Sequence, residues 1–278
     1  MAELFRPQTL DDAVAIAAGE GVRLMAGCTD LFPAIETAAL SGPMLDLTAV
    51  RGLRGILREG DGWRIGATAR WAEIARAQLP PAFDGLRAAA REVGAAQIQN
   101  AGTIGGNLCN ASPAADGVPP LLTLGAQVEL ASTRGRRRLP LAAFLRGPRQ
   151  TALEPGEILT AVIVPDPAGR GAFRKLGARG ALVISIVMVA ARIALRDGKV
   201  AEAALAVGAC GPVAVSLDRQ AAALIGVPAT EAAGRIAAAL VEPALAPLSD
   251  VRAEAGYRLE AARVLLRRMV AELCRETA

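Results

Sequence analysis

The stretch that most constrains this chain is residues 100–116, which read NAGTIGGNLCNASPAAD. Three glycines lie within five residues there, and two of them, Gly105 and Gly106, are adjacent. Glycine reaches left-handed and extended backbone conformations that a side chain disfavours, so successive N–H groups in such a turn can converge on an anion. Glycine is also the commonest turn residue, and the same spacing suits a polar surface loop. The spacing alone leaves the phosphate-binding loop and the surface loop equally open.

A second candidate loop lies near the start of the chain. Residues 23–25 predict a short strand, and the sequence AGCTDLFPAIE that follows predicts a glycine turn leading into a helix. A helix that begins at such a turn presents unpaired N–H groups and the positive end of its dipole, which favour an anion. Neither residues 26–30 nor residues 103–107 include a lysine or arginine, so backbone N–H groups are the candidate phosphate donors. An ordinary strand-to-helix turn fits the same residues.

The residue counts exclude several kinds of chemistry. The chain has no histidine, which excludes mechanisms that need an imidazole base, including the triads of serine and cysteine hydrolases. Its four cysteines are far apart and form no CxxC pair, so we expect no metal site or iron–sulfur cluster within the chain. We expect most of them to be buried free thiols, which suits the reducing cytoplasm. The four are Cys28, Cys109, Cys210 and Cys274.

Charge and hydropathy indicate a soluble protein that binds no nucleic acid and has no membrane span, and with the free thiols we expect it in the cytoplasm. The net charge is +4, and aromatic residues make up only 3% of the chain. The arginines of TRGRRR, residues 133–138, therefore predict a solvated hairpin tip rather than a nucleic-acid site. The N-terminal residues show no apolar core of a signal peptide, and the longest apolar run, residues 181–191, is too short to span a bilayer.

The local patterns predict a mixture of helices and strands. Thr9, with Asp12 three residues later, predicts the N-cap of a first helix. Asp197 and Gly198 predict a tight hairpin between two long strands, residues 173–195 and 200–215. The other predicted strands are one ending at 46–47, a hairpin over 55–66, and 127–132. Residues 139–144 and 158–164 are further short apolar segments. The later predicted helices are 70–77, 83–93, 116–125, 216–224, 230–240 and 254–274, and the predicted linker is 165–171.

Both candidate loops carry a family resemblance. AGTIGGNLCNASPAAD closely resembles the second flavin-binding motif of the FAD-binding subunits of molybdenum hydroxylases, the family of xanthine dehydrogenases and of the carbon monoxide dehydrogenase flavoprotein. AGCTDL resembles the first flavin motif of that family, AGGTDL, with Cys28 in place of its second glycine. The phrases CGPVAVSLDRQAAALIG and PLSDVRAEAGYRLEAARVLLRRM resemble the C-terminal domain of the same flavoproteins. The resemblance therefore covers essentially the whole chain.

The resemblance implies an α+β fold in two domains. Residues 1–165 are expected to form a two-part, PCMH-like FAD-binding domain, with a small α/β part over about 1–54 and a larger α+β part over 55–165. Residues 172–276 are expected to form an α+β C-terminal domain with a small antiparallel sheet and helices.

The resemblance also implies FAD as the cofactor and names the residues that bind it. Asp116 is expected to accept a hydrogen bond from a ribose hydroxyl or another polar group of FAD, although the residues alone suit a helix N-cap equally well. Val93 stands where some relatives place an aromatic residue against the isoalloxazine ring, and Leu159 aligns with a residue that lines the ring. Lys175 aligns with a lysine near the flavin, and Arg174 is the alternative residue for that position. The full expected set is Ala26, Gly27, Cys28, Thr29, Asp30, Leu31, Val93, Thr103, Ile104, Gly105, Gly106, Asn107, Ser112, Asp116, Leu159 and Lys175.

Cys28 is the one departure from the first motif. If its position requires a positive φ angle, a residue with a side chain is strained there by roughly 1 kcal/mol.

The resemblance assigns the chain an electron-transfer role. The sequence offers no acid–base pair of its own, which is typical of a protein whose cofactor does the chemistry. Electrons are expected to come from a small subunit with 2Fe-2S clusters, fed by a large subunit with molybdenum and molybdopterin cytosine dinucleotide, in a dimer of heterotrimers. They would pass from FAD to NAD, a quinone or another acceptor. A free-standing FAD oxidase or dehydrogenase, and a binding module that has lost FAD, are the alternatives.

Overall fold

The computed structural model describes residues 3–34, 42–180 and 182–275. The N-terminal layer is a three-stranded parallel sheet in the order β1–β3–β2, with one helix against it. Its elements are β1 (Glu3–Phe5), α1 (Leu10–Ala17), β2 (Arg23–Met25) and β3 (Pro43–Asp46). The Thr9 hydroxyl accepts a hydrogen bond of 3.2 Å from the Asp12 N–H at the start of α1, which confirms the predicted cap. The strands predicted at 23–25 and before 47 are also confirmed.

The helix predicted directly after the first loop is not formed over residues 26–34. These residues instead make consecutive turns, in which Phe32 donates to the Cys28 carbonyl and Ala34 to the Asp30 carbonyl. Pro33 within the segment has no N–H to continue a helical ladder. Residues 35–36 of the predicted helix lie outside the described residues.

The middle of the chain builds a five-stranded antiparallel sheet in the order β4–β5–β10–β6–β7, covered by short helices. The strands predicted at 55–66 and 127–132 and the helices predicted at 70–77, 83–93 and 116–125 are confirmed. The elements are β4 (Ile56–Glu59), β5 (Gly62–Gly66), α2 (Trp71–Arg76), α3 (Asp84–Glu92), α4 (Ala96–Ala101), α5 (Ile104–Asn110), α6 (Val118–Thr123), β6 (Gln127–Ser132), β7 (Gly135–Pro140), α7 (Leu141–Phe144), β8 (Leu145–Gly147), β9 (Gln150–Thr151) and β10 (Ile158–Pro165).

The arginine run lies on a hairpin, as its sequence predicted, but most of the run is strand and not the tip of the hairpin. Arg136, Arg137 and Arg138 lie along β7, the edge strand, and only residues 133–134 make the turn. Arg137 pairs with Glu157 at 2.7 Å, and Arg138 pairs with Glu129 at 2.8 Å. Both carboxylates are almost completely buried, so these arginines neutralise acids on neighbouring strands instead of forming a free basic patch.

The C-terminal part is a four-stranded antiparallel sheet, β11–β12–β13–β14, covered by a long helix. Asp197 and Gly198 both have positive φ angles at the β12–β13 turn, which confirms the predicted hairpin. The apolar face of the last helix, including Leu266, Met269 and Leu273, is buried against the sheet. The elements are β11 (Arg170–Leu176), β12 (Val187–Arg196), β13 (Lys199–Gly208), β14 (Val215–Ser216), α8 (Asp218–Ala222), α9 (Ala229–Ala232), α10 (Ala238–Val241) and α11 (Ala255–Arg275).

Three C-terminal predictions were wrong in detail. The segment 200–215 is not one strand, because β13 ends at Gly208 and β14 pairs back with it. The segment 173–195 is not one strand, because residues 177–180 and 182–186 belong to a loop between β11 and β12, which pair antiparallel. The predicted helix 230–240 is broken at Ile236, whose backbone is extended. The buried side chain of Gln220 fills this break, since its amide donates to the Arg235 carbonyl and accepts from the Ala237 N–H.

Three further sequence predictions concern the described residues. All four cysteines are free thiols, as expected, but only Cys210 and Cys274 are buried, while Cys28 and Cys109 are half-buried. No helix within residues 3–34, 42–180 and 182–275 has the length and apolar character needed to cross a membrane. The same residues contain no group of three or more cysteine, aspartate or glutamate side chains that could hold a metal ion.

Candidate cofactor site

The first loop faces the start of α5 across a cleft that contains three adjacent cavities. The central cavity, about 400 Å³, is lined by residues 26–31 on one side and by Thr103, Gly106 and Asn107 on the other. The apolar cavity, about 220 Å³, shares Ala26 and Gly106 with it and is otherwise lined mostly by aliphatic side chains. The polar cavity, about 410 Å³, shares Asp30 with the central cavity. A long ligand can therefore lie across both loops with an apolar end and a polar end.

Gly27 lets the two loops touch. A Cβ atom at this position would lie 2.2 Å from the Ala101 carbonyl oxygen and 2.8 Å from the Gly102 Cα. Contacts below 3.0 Å essentially never occur for real Cβ atoms, and the opposing atoms are backbone atoms that no rotamer change can move away. Glycine at position 27 is therefore required by the distance between the loops.

The first loop offers unused N–H groups to the central cavity. The N–H groups of residues 28–31 donate to none of the described residues, although all four residues line the cavity. Cys28 has a φ angle of 58°, in the left-handed region, so the departure from glycine in the motif falls where a side chain is strained. Free donors beside a cavity are the expected arrangement for binding an anion such as a diphosphate.

The glycine-rich stretch differs from the expected loop. Gly105 and Gly106 lie in the first turn of α5 with right-handed helical backbone, and Thr103 caps this helix by accepting from the Gly106 N–H at 3.1 Å. Gly105 is needed for another reason, since a Cβ there would lie 2.7 Å from the Ala67 carbonyl oxygen. The N–H groups of residues 104–107 all donate within the protein, so they are not the free phosphate donors that the sequence suggested.

The second loop instead contributes the Asn107 side chain. Its Oδ1 atom is buried and finds no hydrogen-bond partner among the described residues. Buried polar atoms without partners are rare in folded proteins and call for an explanation such as a bound ligand. Asn107 lines the central cavity, so a donor group of a ligand there would satisfy this atom.

Asp116 belongs to a buried polar network at the polar cavity. Lys175 Nζ lies 2.7 Å from its Oδ2 atom, and the Ser185 hydroxyl donates to its Oδ1 atom at 3.0 Å. Burial raises the pKa of the Asp116 carboxyl, while Lys175 and Ser185 act in the opposite direction. The alternative of a helix N-cap is wrong, because Gly117 occupies the N-cap of α6 and Asp116 is engaged elsewhere.

The structure brings almost all of the expected residues to the three cavities. Ile104 is the exception, because its side chain is fully buried in the hydrophobic core. Arg174, the alternative to Lys175 in the alignment, lines none of the three cavities, because it pairs with Glu272. Ala26, Gly27, Cys28, Thr29, Asp30, Leu31, Val93, Thr103, Gly106 and Asn107 line the central cavity, Gly105 and Leu159 the apolar cavity, and Ser112, Asp116 and Lys175 the polar cavity.

Leu159 and Lys175 thus line different cavities, with the central cavity between them. The sequence had placed both beside the isoalloxazine ring. Because the two residues are separated in this way, only one of them is expected beside the isoalloxazine ring. The other is expected beside the opposite end of FAD.

Two residues of the site were missed at the sequence level. Trp71 lines the central cavity while its ring packs so closely on Gly117 that a Cβ there would lie 2.4 Å from the ring. Arg149 lines the polar cavity from the turn between β8 and β9, has a φ angle of 60°, and donates to the side chain and carbonyl of Asn110. No local signal marks Arg149, because its partner is 39 residues away in the sequence.

The central cavity itself carries little acid–base chemistry. Asp30 is the only carboxylate among the described residues that line it. Burial raises the pKa of the Cys109 thiol to about 12, and burial together with the charge of Asp46 raises the pKa of the Cys28 thiol. Both thiols are therefore neutral at neutral pH.

Replacing Cys28 by glycine is expected to stabilise the chain by up to about 1 kcal/mol, because glycine adopts a positive φ without steric strain. The measurement is the free energy of unfolding by urea, made with and without FAD. Cys28→Ala is the matched control, since it removes the thiol and keeps the strain. Equal stabilities of the glycine and alanine variants would show that the φ angle is not the cause.

Known proteins resemble this chain in sequence and in fold. Residues 1–167 match the family described as FAD binding domain in molybdopterin dehydrogenase, and residues 171–273 match the CO dehydrogenase flavoprotein C-terminal domain. The chain is 34% identical to the carbon monoxide dehydrogenase medium chain of Afipia carboxidovorans, over 95% of this chain and 94% of that one. It is 29% identical to the xanthine dehydrogenase FAD-binding subunit of Escherichia coli O157:H7, over 98% and 95% of the two chains.

A solved structure is also similar to this chain over almost its whole length. A chain of reconstituted CO dehydrogenase from Oligotropha carboxidovorans matches with a TM-score of 0.90 and 30% identity, over 99% of this chain and 98% of that one. The two-loop cleft on this α+β frame defines a flavin-nucleotide-binding protein. The chain belongs to the FAD-binding subunits of the molybdenum hydroxylase family, which includes the CO and xanthine dehydrogenases, and it is an oxidoreductase subunit with FAD as its cofactor.

The residues present fit that cofactor. The unused N–H groups of residues 28–31 suit the diphosphate, and the partnerless Asn107 Oδ1 suits a hydroxyl or amide donor. Gly27 keeps the two sides of the cleft in contact without a side chain between them. The cleft has aliphatic side chains at one end, which suit a ring system of FAD, and the Asp116–Lys175 pair at the other, which suits polar groups of the cofactor.

Proposed function

We propose that this chain transfers electrons, through its FAD, between an iron–sulfur subunit and a terminal acceptor in a molybdopterin-dependent hydroxylase or dehydrogenase. The observation that carries the proposal is the central cavity, which combines unused N–H groups with a lining that lacks an acid–base pair among its described residues. Bound FAD accepts and releases electrons, and the protein contributes binding, orientation and electrostatics. A free-standing oxidase would need acid–base or nucleophilic groups of its own beside the cofactor.

Each part of the site has a role in this proposal. The first loop binds the diphosphate through the N–H groups of residues 28–31, and Asn107 binds a donor group opposite. Trp71 and the aliphatic residues of the apolar cavity exclude water from the cofactor. Asp116 and Lys175 hold the polar end, where the positive charge of Lys175 favours negative charge on a nearby group.

The proposal implies partner subunits. No set of cysteines in the described residues could hold a cluster, so the 2Fe-2S centres and the molybdopterin cytosine dinucleotide with its molybdenum belong to a small and a large subunit. We expect a dimer of heterotrimers, in the cytoplasm because the thiols remain free. The proposed terminal acceptor is NAD, a quinone or another oxidant, and the described residues include no nicotinamide-binding glycine motif that would single out NAD.

We also propose that residues 1–165 act as the FAD-binding domain and residues 172–276 as the C-terminal domain. Separate hydrophobic clusters around sheet β4–β5–β10–β6–β7 and around α11 support this division. The proposed subdomains, about 1–54 and 55–165, share one cluster, because Ala131 and Ile158 pack against α1 and β3. The first subdomain is therefore expected to fold only together with the second.

The test is to purify the tagged chain from its native host with the subunits that accompany it. We expect flavin and iron–sulfur absorbance in one complex, and reduction of both by a substrate of the molybdenum subunit, with xanthine, aldehydes and carbon monoxide as first probes. After FAD is stripped, substrate should still reduce the clusters, while reduction of the acceptor stops and returns on adding FAD. Substrate turnover by the chain alone would favour the free-standing oxidase. Absence of flavin, with no thermal shift on adding FAD, would contradict a redox role.

A further inference from the structure

Arg258 is a buried arginine that lines none of the three cavities of the site. It lies in the first turn of α11, and its side chain is 3% exposed. One terminal nitrogen donates to the Ile186 carbonyl at 2.6 Å and to the Ala209 carbonyl at 3.2 Å, and the other lies 2.7 Å from Asp250 Oδ1. A guanidinium costs much free energy to bury unless its donors are satisfied. Both terminal nitrogens of Arg258 are paired, while its buried Nε atom finds no partner among the described residues.

The two carbonyls that Arg258 holds lie beside the contacts between the C-terminal sheet and the glycine-rich stretch. Ile186 follows Ser185, whose hydroxyl donates to Asp116 at 3.0 Å. The N–H of Ala209 donates to the Pro113 carbonyl at 3.1 Å, and Ala209 has a strained φ angle of 60°. Both segments therefore depend on Arg258 on one side and reach residues 113–116 on the other.

We propose that Arg258 is a positioning residue for the cofactor site, acting through the Ser185 and Ala209 segments on the loop that carries Asp116. Asp250 holds the guanidinium in place, and its own pKa is lowered to about 2, first by the Arg252 N–H and also by Arg252 and Arg258 themselves. Strain at Ala209 is maintained only where the surroundings fix the backbone, and Arg258 supplies that restraint. The inference rests on FAD binding at the polar cavity, not on the proposed electron transfer.

The position of Ser185, which depends on Arg258, affects the pKa of the Asp116 carboxyl. The groups that face this carboxyl are Lys175 on β11, Ser185 in the loop before β12, and the carboxylate of Glu92 at the end of α3, while Asp30 and Arg149 line the same cavity. Ser185 favours the ionised carboxylate, because a hydrogen bond to the charged form lowers its pKa. If Ser185 is released from its position, the pKa of Asp116 rises further.

The experiment measures the dissociation constant of FAD against pH for the full chain, or for its complex if the chain purifies with partners. Arg258→Met and Ser185→Ala are expected to weaken FAD binding by roughly tenfold each, the factor that corresponds to one buried hydrogen bond. The plot of the FAD dissociation constant against pH should show an inflection caused by Asp116, which Asp116→Asn abolishes. Both Arg258→Met and Ser185→Ala should move this inflection to higher pH. The double variant should move it no further than either single variant, since both act on one contact. Arg258→Lys, with a single donor atom, should give an intermediate shift.

Arg267→Met is the matched control. Arg267 lies on the same helix and donates to the Ile236 carbonyl, which belongs to a different part of the C-terminal core. Its loss should leave the pH profile of FAD binding unchanged. The proposal is overturned if Arg258→Met lowers only thermal stability, or if its effect adds fully to that of Ser185→Ala. It is also overturned if Asp116→Asn leaves the profile as it is in the unaltered chain. If Arg258→Met fails to fold, Arg258→Lys and Ser185→Ala decide between these outcomes.

Discussion

Gly27→Ala is expected to remove FAD from the purified protein almost completely. The added methyl group would lie 2.2 Å from the Ala101 carbonyl oxygen and 2.8 Å from the Ala101 carbonyl carbon and the Gly102 Cα. Overpacking of this kind costs about 1–3 kcal/mol, and here the strain is relieved only by moving the first loop away from α5. Since FAD must contact both sides of the cleft, we expect its affinity to fall by roughly a hundredfold, as 3 kcal/mol implies.

The measurement is the ratio of flavin to protein after purification, followed by titration of the FAD-free chain. Gly256→Ala is the matched control, because Gly256 lies in α11 and a Cβ there meets no atom within 4 Å. Alanine is the better helix former, so this control should keep its FAD and unfold at the same or a slightly higher temperature. Full FAD content in Gly27→Ala, with stability unchanged, would show that the contact between the two loops does not form the site.

Lys175→Met is expected to destabilise the fold by about 3–5 kcal/mol, the usual cost of leaving one member of a buried ion pair without its partner. The side chains of Lys175 and Asp116 are 7% and 9% exposed, and their atoms lie 2.7 Å apart. Methionine fills a similar volume but leaves the Asp116 carboxylate with Ser185 as its remaining side-chain donor. The measurement is the free energy of unfolding by urea at pH 8.

The loss should depend on pH in a defined direction. The folded-state pKa of Asp116 is already raised by burial, and the loss of Lys175 removes the charge that opposes this rise. A carboxyl with a raised folded pKa favours the folded state while it is protonated, and this stability is lost as pH rises through the folded pKa. The defect of Lys175→Met should therefore be smaller at pH 5 than at pH 8.

Two further variants complete this test. Asp116→Asn combined with Lys175→Met should recover much of the lost stability, because no uncompensated charge remains. Lys199→Met, at an exposed position of the β12–β13 hairpin, should change stability little. A Lys175→Met chain as stable as the Lys199 variant, or equally destabilised at both pH values, would contradict a buried charge pair.

Local sequence determined the elements that depend on neighbours along the chain. The Thr9 cap, the hairpin at Asp197 and Gly198, and the long helix α11 follow from hydrogen bonds, turn geometry and periodicity within a few residues. The break at Ile236 could not be found in this way, because Gln220 satisfies the backbone there from another helix. The loop formed by residues 177–180 and 182–186 was missed because its apolar residues resemble those of the strands on either side.

For the candidate site as well, local sequence determined some features and tertiary contacts determined the others. The two glycine motifs identified the family and named the residues that line the cleft, since a motif preserves residue types that the site requires. What the glycines do was decided by tertiary structure. Gly105 and Gly106 lie in a helix, and the reason for Gly27 and Gly105 is the close approach of backbone from other segments, at Ala101 and Ala67.

By itself, then, the sequence determined the fold class, the family and the cofactor, and it predicted most of the residues that line the three cavities. The tertiary structure decided which N–H groups remain unused, that Asp116 pairs with Lys175 59 residues away, and that Arg149 and Trp71 join the site. The physical reason is that hydrogen-bond supply, burial and charge pairing depend on atoms that meet only after the chain folds. A motif records that glycine or aspartate is needed at a position, and the packing of distant segments determines why.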